Sequence, residues 1–506
     1  MSEVLLRQSS LHSEAGETLD PRNWEDLRAQ AHRMLDDMID YVADVRDRPV
    51  WQPIPDAVRG QFRATLPRQP SDLGEVYREF TDLIAPYATG NVHPGFMGWV
   101  HGGGSAVGML AEMLAAGLNA NLGGRDHIPI EVERQITAWV REMFGFPASA
   151  SGIFVTGTSM ANLMAVLVAR TCALGKSARQ HGIGHEGAAL TAYTSKAAHG
   201  CIAKAMDIAG FGTDALRCIS IDQSHRIDVA ALRAQIVRDR EAGLKPFLVV
   251  ASAGTVDIGA IDDLAALAAL CREEKLWFHV DGAYGALGIL SPVLAPLLKG
   301  IEDADSIALD FHKWGQVPYD AGFLMVRDGE QHRQAFAAPA AYLRRETRGL
   351  AAGSSWPCDF GPDLSRGFRA LKTWFTFKTY GTEKLGAVIA RTCALAGHLQ
   401  ARILAEPRLE LLAPVNLNIV CFRYRAINAN KINGDIVIDI QESGIAAPST
   451  TILDGQLAIR AAIVNHRTDA RDIDALISAV LEFGALRSSP NDGLVPQIEA
   501  SPPLAM

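Results

Sequence analysis

The chain has 506 residues, of which 48% are hydrophobic and 21% are charged. This is an ordinary globular composition, which excludes wholesale disorder, collagen-like repeats and a small disulfide scaffold. The formal net charge of -9 disfavours nucleic acid or an anionic membrane surface as a partner. The length corresponds to about three average domains, or to one large α/β domain with appendages.

Cysteine spacing and hydropathy bear on location and on metal binding. The 7 cysteines are scattered and never form a Cys-x-x-Cys motif, which is typical of reduced thiols. Glycines interrupt the stretch that contains His181 and His185, so we expect solvent-exposed histidines there and no metal site. The N-terminus lacks the apolar core of a signal peptide, and no apolar run is long enough to span a bilayer. We therefore expect a soluble, cytoplasmic protein.

The N-terminal part of the chain predicts a helical arm, which we assign to residues 23–105. Apolar residues from Trp24 to Val45 recur at spacings of three and four, which predicts an amphipathic helix that Asn23 caps. Residues 49–72 are Pro-rich and are predicted to be extended. The apolar stripe of the arm must pack either on the rest of this chain or on a second subunit.

Residues 106–390 form the predicted large domain, in which apolar runs alternate with helical segments. Such alternation predicts an α/β fold whose mostly parallel central sheet has helices on both faces, with ligands beyond the carboxyl ends of the strands. A further helix–strand pattern predicts a small C-terminal α/β domain over 391–487, and the polar ends 1–22 and 488–506 are predicted to be flexible tails. The apolar runs of the large domain are 152–156, 190–195, 246–254, 276–285, 306–314 and 321–328.

Two features that follow the first two apolar runs of the predicted large domain suit a planar, phosphorylated ligand. TGTSMAN (156–162) is a glycine turn that leads into a helix, where backbone N–H groups and the hydroxyls of Thr158 and Ser159 can cradle a phosphate. Taken alone, the motif also fits a plain helix N-cap. His199 follows the second run, and its flat ring suits stacking on a cofactor or relaying a proton.

Asp281 and Lys313 follow later runs of the same domain. A carboxylate at the end of a buried strand needs a partner, which can be a protonated heteroaromatic nitrogen, an N-cap or a salt bridge. Lys313 lies between His312 and Trp314, and a partly desolvated lysine suits Schiff-base chemistry. A phosphate cradle, a Schiff-base lysine, an acid for a pyridine nitrogen and a stacking ring together fit pyridoxal 5′-phosphate.

These residues belong to motifs that resemble the group II pyridoxal-phosphate decarboxylases, whose best-known members are the aromatic-L-amino-acid decarboxylases. The resemblance covers residues 24 to 480 and rests on an ordered set of motifs. It implies the fold-type I architecture and an obligate homodimer, in which the N-terminal arm wraps around the partner and the active site lies at the interface. The motifs are GTSMANL (157–163), AGTVDIGAID (253–262), HVDGAYG (279–285), DFHKWG (310–315) and LSRGFRALKTWF (364–375).

The resemblance also implies a role for each site residue. Lys313 would hold the cofactor as an aldimine, Asp281 would keep its ring nitrogen protonated, and His199 would stack on the ring and help in proton transfer. The other cofactor residues that it implies are Ala283 on the second face of the ring, Thr158, Ser159 and Asp310 around the phosphate, Thr255 near the ring, and His312 beside the lysine.

The implied reaction is decarboxylation of an L-amino acid to an amine, but one family feature is missing. Relatives carry a loop tyrosine thought to protonate the carbanion, and here no Tyr occurs between Tyr342 and Tyr380. Relatives without it let the carbanion react with oxygen, which yields an aldehyde, ammonia and peroxide. His199, Cys358 or Asp359 could instead donate the proton, and the family norm favours the amine.

Substrate choice is left partly open by the sequence. Three residues of the segment 90–104, which resembles the substrate-side strip of the family, are candidates for the pocket wall: Phe96, Trp99 and His101. Phe96 fits a core position equally well. Aromatic walls favour an aromatic amino acid. A second segment resembles lining that a partner subunit contributes, and its polarity leaves an acidic or diamino substrate open: Asn119, Asn121 and Arg125.

Overall fold

The computed structural model describes residues 18–338, 344–353 and 355–488. The chain divides into two compact units, one containing residues 18–45 and 55–86 and the other 46–54 and 87–488. Most of the predicted tails, and Tyr342, lie outside the described residues, as does the side chain of His185. The domain boundaries assigned from sequence stay predictions. Among the described residues, no helix is long and apolar enough to cross a membrane.

The first unit contains α1 (Trp24–Ala43), α2 (Asp56–Gln61) and α3 (Leu73–Glu79). The side chain of Asn23 accepts hydrogen bonds from the N–H groups of Glu25 and Asp26, which confirms the predicted start of α1. The prediction of an extended segment over 49–72 is wrong where α2 lies. Pro55 precedes α2 with φ of -60°, a value compatible with helix entry, and the missing proline N–H is not needed there.

The second unit contains two sheets and the remaining helices. Its elements up to residue 338 are β1 (Phe96–Met97), α4 (Ala106–Leu118), α5 (Ile128–Phe144), β2 (Ser151–Val155), α6 (Thr158–Leu174), α7 (Ser177–His181), α8 (Gly184–Ala188), β3 (Leu190–Ser195), α9 (Cys201–Ile208), β4 (Leu216–Ile219), α10 (Val229–Glu241), β5 (Lys245–Ser252), α11 (Leu264–Glu274), β6 (Trp277–Asp281), β7 (Ser306–Asp310), β8 (Gly322–Val326) and α12 (Gly329–Phe336). They are followed by α13 (Arg369–Ala405), β9 (Leu409–Leu411), β10 (Ile419–Tyr424), α14 (Ala429–Glu442), β11 (Ala447–Leu453), β12 (Gln456–Ala462) and α15 (Ala470–Arg487).

The larger sheet has seven strands in the order β2-β8-β7-β6-β5-β3-β4. β3, β4, β5, β6 and β7 pair in parallel, whereas β8 is antiparallel to both of its neighbours. Consecutive residues of β5 pack on opposite faces: Val249 lies in one apolar cluster with Leu267 of α11, and Val250 lies in another with Ile202 of α9. Helices therefore cover both faces of a mostly parallel sheet, which confirms the predicted α/β, fold-type I architecture.

The smaller sheet has five strands in the order β1-β11-β12-β10-β9. β1 pairs in parallel with β11, with Phe96 opposite Ala447, and the other neighbours are antiparallel. A strand from the predicted arm therefore belongs to the sheet of the predicted C-terminal domain. α13 leads into this sheet and is broken at Gly381, whose φ of 70° lies outside the helical region.

Candidate active site

Polar residues that follow several strands meet at one cavity of about 410 Å³. The parallel strands β3, β5, β6 and β7 direct their carboxyl ends to the same edge of the sheet, and the start of α6 after β2 completes the cavity. All of the cofactor residues predicted from sequence line it: Thr158, Ser159, His199, Thr255, Asp281, Ala283, Asp310, His312 and Lys313.

Lys313 and Asp310 form an ion pair in this cavity. The Nζ atom of Lys313 lies 3.0 Å from Oδ2 of Asp310, the last residue of β7. The other carboxylate oxygen, Oδ1, accepts a hydrogen bond of 2.8 Å from the backbone N–H of Thr158. One buried carboxylate therefore fixes the beginning of α6 relative to the lysine.

The first turn of α6 has the features of an anion site. The helix has 17 residues, and its N-terminus carries a partial positive charge. The Oγ1 atom of Thr158 is buried and has no hydrogen-bond partner among the described residues. A buried, unsatisfied hydroxyl costs about 1–3 kcal/mol, so a ligand oxygen bonded to it would remove this penalty.

Asp281 is a buried carboxylate at the end of β6. Its Oδ1 accepts a hydrogen bond from the N–H of Ala283 at 3.1 Å, and its Oδ2 accepts one from Nδ2 of Asn162 at 3.0 Å. Burial raises the pKa of Asp281, and the charge of Lys313 and these hydrogen bonds oppose that rise. A cationic ring N–H in the cavity would offset the burial of this charge.

His199 and Thr255 lie on the same cavity and are oriented by the backbone. The Nδ1 atom of His199 accepts a hydrogen bond of 3.2 Å from the N–H of Cys201, so the proton of the neutral ring is on Nε2. The hydroxyl of Thr255 accepts a hydrogen bond of 3.0 Å from the N–H of Ala260. The local backbone therefore holds both side chains in place.

His312 is held as a neutral ring between the lysine and Tyr319. Its Nδ1 accepts a hydrogen bond of 3.0 Å from the N–H of Ala321, and burial lowers its pKa to about 4. Its Nε2 lies 3.6 Å from Oδ2 of Asp310. The ring centroids of His312 and Tyr319 are 4.3 Å apart, so Tyr319 packs directly on this histidine at the cavity wall.

Two of the three predicted pocket-wall residues line the cavity, and the third does not. Trp99 and His101 line it, with ring centroids 5.8 Å apart. Phe96 is only 4% exposed and packs in an apolar cluster with Val50 and Ala447. Its ring stacks behind His101 at 5.6 Å, so the alternative of a core position describes Phe96.

Arg125 and Asp359, predicted as partner-side lining and as a loop proton donor, lie in a separate cluster around Trp356. The guanidinium of Arg345 lies 3.9 Å from the centre of the Trp356 ring, and Arg345 also pairs with Asp359 at 2.8 Å. The predicted residues that do not line the cavity within one chain are Asn119, Asn121, Arg125, Cys358 and Asp359. Arg125 is held away from the cavity by the 4.8 Å approach of its guanidinium to the same ring.

Several residues at or behind the cavity were not found from the sequence. Tyr319, Cys201, Ser252 and Val256 line the cavity, and Asn162 lies behind it in contact with Asp281. Asn162 is part of the GTSMANL motif, and that position was the available signal. Tyr319 lies in the connection between β7 and β8, where no periodicity marks it.

The residues present fit pyridoxal 5′-phosphate. The unpartnered hydroxyl of Thr158 and the start of α6 suit a phosphate, the buried Asp281 suits a protonated ring nitrogen, and Lys313 offers an amine for a carbonyl carbon. These features lie around one cavity, as a single small cofactor requires.

Comparison with known proteins agrees with this site. Residues 55–425 match the pyridoxal-dependent decarboxylase conserved domain. An aromatic-L-amino-acid decarboxylase of Bacillus atrophaeus is 34% identical over 463 residues, which are 89% of this chain and 93% of that protein. A phenylacetaldehyde synthase of Arabidopsis thaliana is 28% identical, over 91% of this chain and 96% of that protein.

A solved structure shows the same similarity. The crystal structure of Oryza sativa TDC with PLP and tryptamine superposes with a TM-score of 0.86 at 25% identity, covering 93% of this chain and 100% of that one. The matched domain includes the lysine, the aspartate and the start of α6 around the cavity. The chain therefore belongs to the pyridoxal-dependent decarboxylase family and is a pyridoxal phosphate-dependent amino-acid decarboxylase.

Proposed function

We propose that the enzyme converts an aromatic L-amino acid to the corresponding amine, with Lys313 as the residue that binds the cofactor covalently. The observation that carries the substrate class is the aromatic wall of the cavity. Trp99 and Tyr319 both contact His101, at ring-centroid distances of 5.8 and 5.9 Å. Aromatic side chains pack favourably on such a wall, and the decarboxylase of Bacillus atrophaeus is named for aromatic substrates.

Each remaining site residue has a defined task in this proposal. When bound, the cofactor supplies an electron sink for the bond between the substrate Cα and its carboxylate. The ionised Asp281 would keep the ring nitrogen protonated, and that positive charge would stabilise the negative charge that develops at the substrate Cα. The start of α6 binds the phosphate through backbone N–H groups and Thr158. His199 orients the ring from one face.

Proton delivery to the substrate Cα is assigned to Tyr319. Within one chain, Cys358 and Asp359 do not line the cavity, whereas Tyr319 does. A tyrosine hydroxyl is protonated at neutral pH, and desolvation together with the charge of Asp310 raises the pKa of Tyr319 further. A protonated hydroxyl on the substrate side of the cavity can donate to Cα after carbon dioxide leaves.

A second candidate activity is the oxidative route to an aldehyde. The sequence has no Tyr between Tyr342 and Tyr380, and one relative is a phenylacetaldehyde synthase. In this route one amino acid, one dioxygen and one water give an aldehyde, carbon dioxide, ammonia and hydrogen peroxide. It dominates if the substrate Cα reacts with oxygen before it is protonated.

Product analysis in air separates these activities. Cofactor-loaded protein is mixed with tryptophan, tyrosine, phenylalanine, dopa, glutamate or diaminobutyrate, and products are identified by mass spectrometry together with a peroxide assay. We expect an amine from an aromatic substrate and no peroxide. Aldehyde with equimolar peroxide would establish the oxidative route. Turnover of glutamate or diaminobutyrate alone would overturn the aromatic assignment.

We also propose that the enzyme acts in the cytoplasm as a homodimer. All 20 residues of α1 keep part of their surface exposed, and Trp24 of the predicted stripe is 59% exposed, which leaves apolar surface for a second copy. The 7 cysteines are free thiols, as a reducing compartment requires. Sedimentation of the full chain and of a form lacking residues 1–45 tests the dimer, and cell fractionation tests the location.

A further inference from the structure

A continuous chain of hydrogen bonds runs from Trp277, the half-buried first residue of β6, to Asp281, its last residue. Trp277 donates from Nε1 to Oγ of Ser306 at 2.9 Å, and that oxygen lies 2.8 Å from Nδ1 of His279. The Nε2 atom of His279 lies 2.8 Å from Oδ1 of Asn162, and Nδ2 of Asn162 donates to Oδ2 of Asp281 at 3.0 Å. We infer that Asn162 and His279 are positioning residues that hold Asp281 ionised and correctly oriented for the cofactor ring nitrogen.

The groups at the two ends of this hydrogen-bond series, Trp277 and Asp281, set the donor-to-acceptor direction of every bond in it. An indole N–H can only donate, and an ionised carboxylate can only accept. Asn162 therefore presents its amide N–H₂ group to Asp281, which leaves its oxygen to accept from Nε2–H of His279. Nδ1 of His279 then accepts from the hydroxyl of Ser306, whose oxygen accepts from Trp277. Every donor in the chain thus has an acceptor, and each bond points toward Asp281.

The reverse arrangement is less well satisfied. It requires a protonated Asp281, a flipped Asn162 amide and a proton on Nδ1 of His279. The oxygen of Ser306 would then accept from both Trp277 and His279, and the Ser306 hydroxyl hydrogen would have no acceptor within this series of hydrogen bonds. Burial lowers the pKa of His279 to about 3, so the ring carries one proton, and the backbone of Ser306 is a further hydrogen-bond partner of the ring. The ionised form of Asp281 is therefore the form that this network favours.

The network matters because it favours the ionised form of Asp281, whereas burial favours the neutral acid. Burial raises the pKa of Asp281, and the neutral acid would not balance a cationic ring nitrogen. Opposing this are the charge of Lys313, the N–H of Ala283, the amide of Asn162 and the charge of His199. The Lys313 contribution changes when its amine binds the cofactor, whereas the Asn162 bond stays.

Asn162 and His279 act only through Asp281. Both side chains are 0% exposed, and neither lines the cavity. The second N–H of the Asn162 amide donates to Sγ of Cys201 at 3.2 Å, so all of its hydrogen-bonding atoms are used. A fully satisfied amide cannot rotate without losing several bonds, which fixes the Oδ2 atom of Asp281.

The test compares variants that interrupt the series of hydrogen bonds with one variant that preserves it. His279→Leu and Asn162→Leu remove the donors, whereas His279→Gln retains an amide N–H near the position of Nε2. The matched control is His332→Leu, because His332 is also 0% exposed, also has a pKa lowered to about 3 and also contacts a serine hydroxyl, that of Ser151 at 2.8 Å. Two readouts are used: the dissociation constant of pyridoxal 5′-phosphate, and the absorption spectrum of the bound cofactor between pH 6 and 9.

The chain-breaking variants are expected to weaken cofactor binding by about tenfold, as loss of a hydrogen bond to a charged group predicts, and to shift the spectral transition. His279→Gln should restore most of both properties. His332→Leu should change neither, although it lowers the melting temperature. A folded His279→Leu protein with wild-type affinity and spectrum would overturn the inference. If the leucine variants do not fold, Ser306→Ala removes one hydroxyl and must shift the spectrum in the same direction, or the inference fails.

This inference rests on the proposed role of Asp281. The variant Asp281→Asn distinguishes a failure of that role from a failure of the inference about Asn162 and His279. If Asp281→Asn leaves affinity and spectrum unchanged, the proposed role of Asp281 is wrong. If Asp281→Asn changes both while His279→Leu changes neither, only the positioning chain is wrong.

Discussion

The carboxylate of Asp310 lies 3.0 Å from Nζ of Lys313 through one oxygen and accepts the backbone N–H of Thr158 at 2.8 Å through the other. The lysine and the phosphate-binding turn are thus connected by a single side chain 2% exposed to solvent. Because both contacts are made by one rigid group, the distance between the amine and the start of α6 is fixed by the fold. A cofactor that carries a carbonyl and a phosphate on one ring requires such a fixed spacing.

Lys313→Ala is expected to abolish covalent retention of the cofactor and to lower turnover by more than about a thousandfold, because no other lysine of the described residues lines the cavity. Borohydride reduction followed by peptide mass spectrometry should find the cofactor on Lys313 in the wild type and on no lysine in the variant. Lys378→Ala, a change away from the cavity, is the control. Retained turnover in Lys313→Ala would contradict the assignment of this lysine.

Thr158→Val should have opposite effects on the empty and the loaded protein. Removing the unpartnered hydroxyl should raise the free energy of unfolding of the cofactor-free protein by about 1 kcal/mol, since an unsatisfied buried group is lost. Cofactor affinity should fall about tenfold, because the phosphate loses a hydrogen bond. Urea unfolding and cofactor titration measure the two effects.

Thr373 provides the control for this experiment. Its hydroxyl is also buried without a partner among the described residues, but it lies in α13 and does not line the cavity. Thr373→Val should stabilise the protein without changing cofactor affinity. Equal losses of affinity in both variants would show that Thr158 has no specific role toward the phosphate.

Tyr319→Phe is expected to raise the ratio of aldehyde to amine severalfold, because the proposed proton donor is removed while the aromatic wall is kept. Products and peroxide are quantified in air and under nitrogen. Tyr424→Phe, a change in β10 and outside the cavity, should leave the ratio unchanged. An unaltered amine rate without peroxide in Tyr319→Phe would assign the proton to another group, such as His199.

Protein stability should fall as the pH drops from about 6.5 toward 4, because several histidines are buried as neutral rings. Burial lowers the pKa of His279 and His332 to about 3, and that of His312 and His466 to about 4. In this window the unfolded chain binds protons that the folded chain does not, so the free energy of unfolding decreases with falling pH. Asp262, whose pKa burial raises to about 6, contributes with the opposite sign.

His332→Gln isolates one of these contributions. Its unfolding free energy should depend less steeply on pH than that of the wild type, by up to about 1.4 kcal/mol per pH unit between pH 4 and 6.5. Urea unfolding at several pH values gives both slopes. Identical slopes would show that His332 titrates alike in the folded and unfolded protein.

The cofactor and the residues around it could be predicted because each of these residues has a signal in its local sequence. The glycine turn before Thr158, the aspartate that ends one apolar run and the lysine that follows another all lie at strand ends. In a parallel sheet, strand ends meet at one edge, so alternation of apolar and helical segments was sufficient to bring them together. For the same reason the α/β architecture followed from the pattern alone.

The positions of the outer residues of the site are determined by tertiary contacts, which no local sequence pattern indicates. Phe96 and Trp99 belong to the same short segment, yet pairing of β1 with β11 buries Phe96 beside Ala447 and leaves Trp99 on the cavity. Tyr319 reaches the cavity because it packs on His312, and the loop of Asp359 is held away by Arg345 and Trp356. The sequence by itself determined the cofactor, the lysine and the class of fold, because these depend on periodicity and on residues at strand ends. Only the tertiary structure decided which aromatic rings form the cavity wall and which buried groups contact Asp281, because those contacts join segments far apart in the chain.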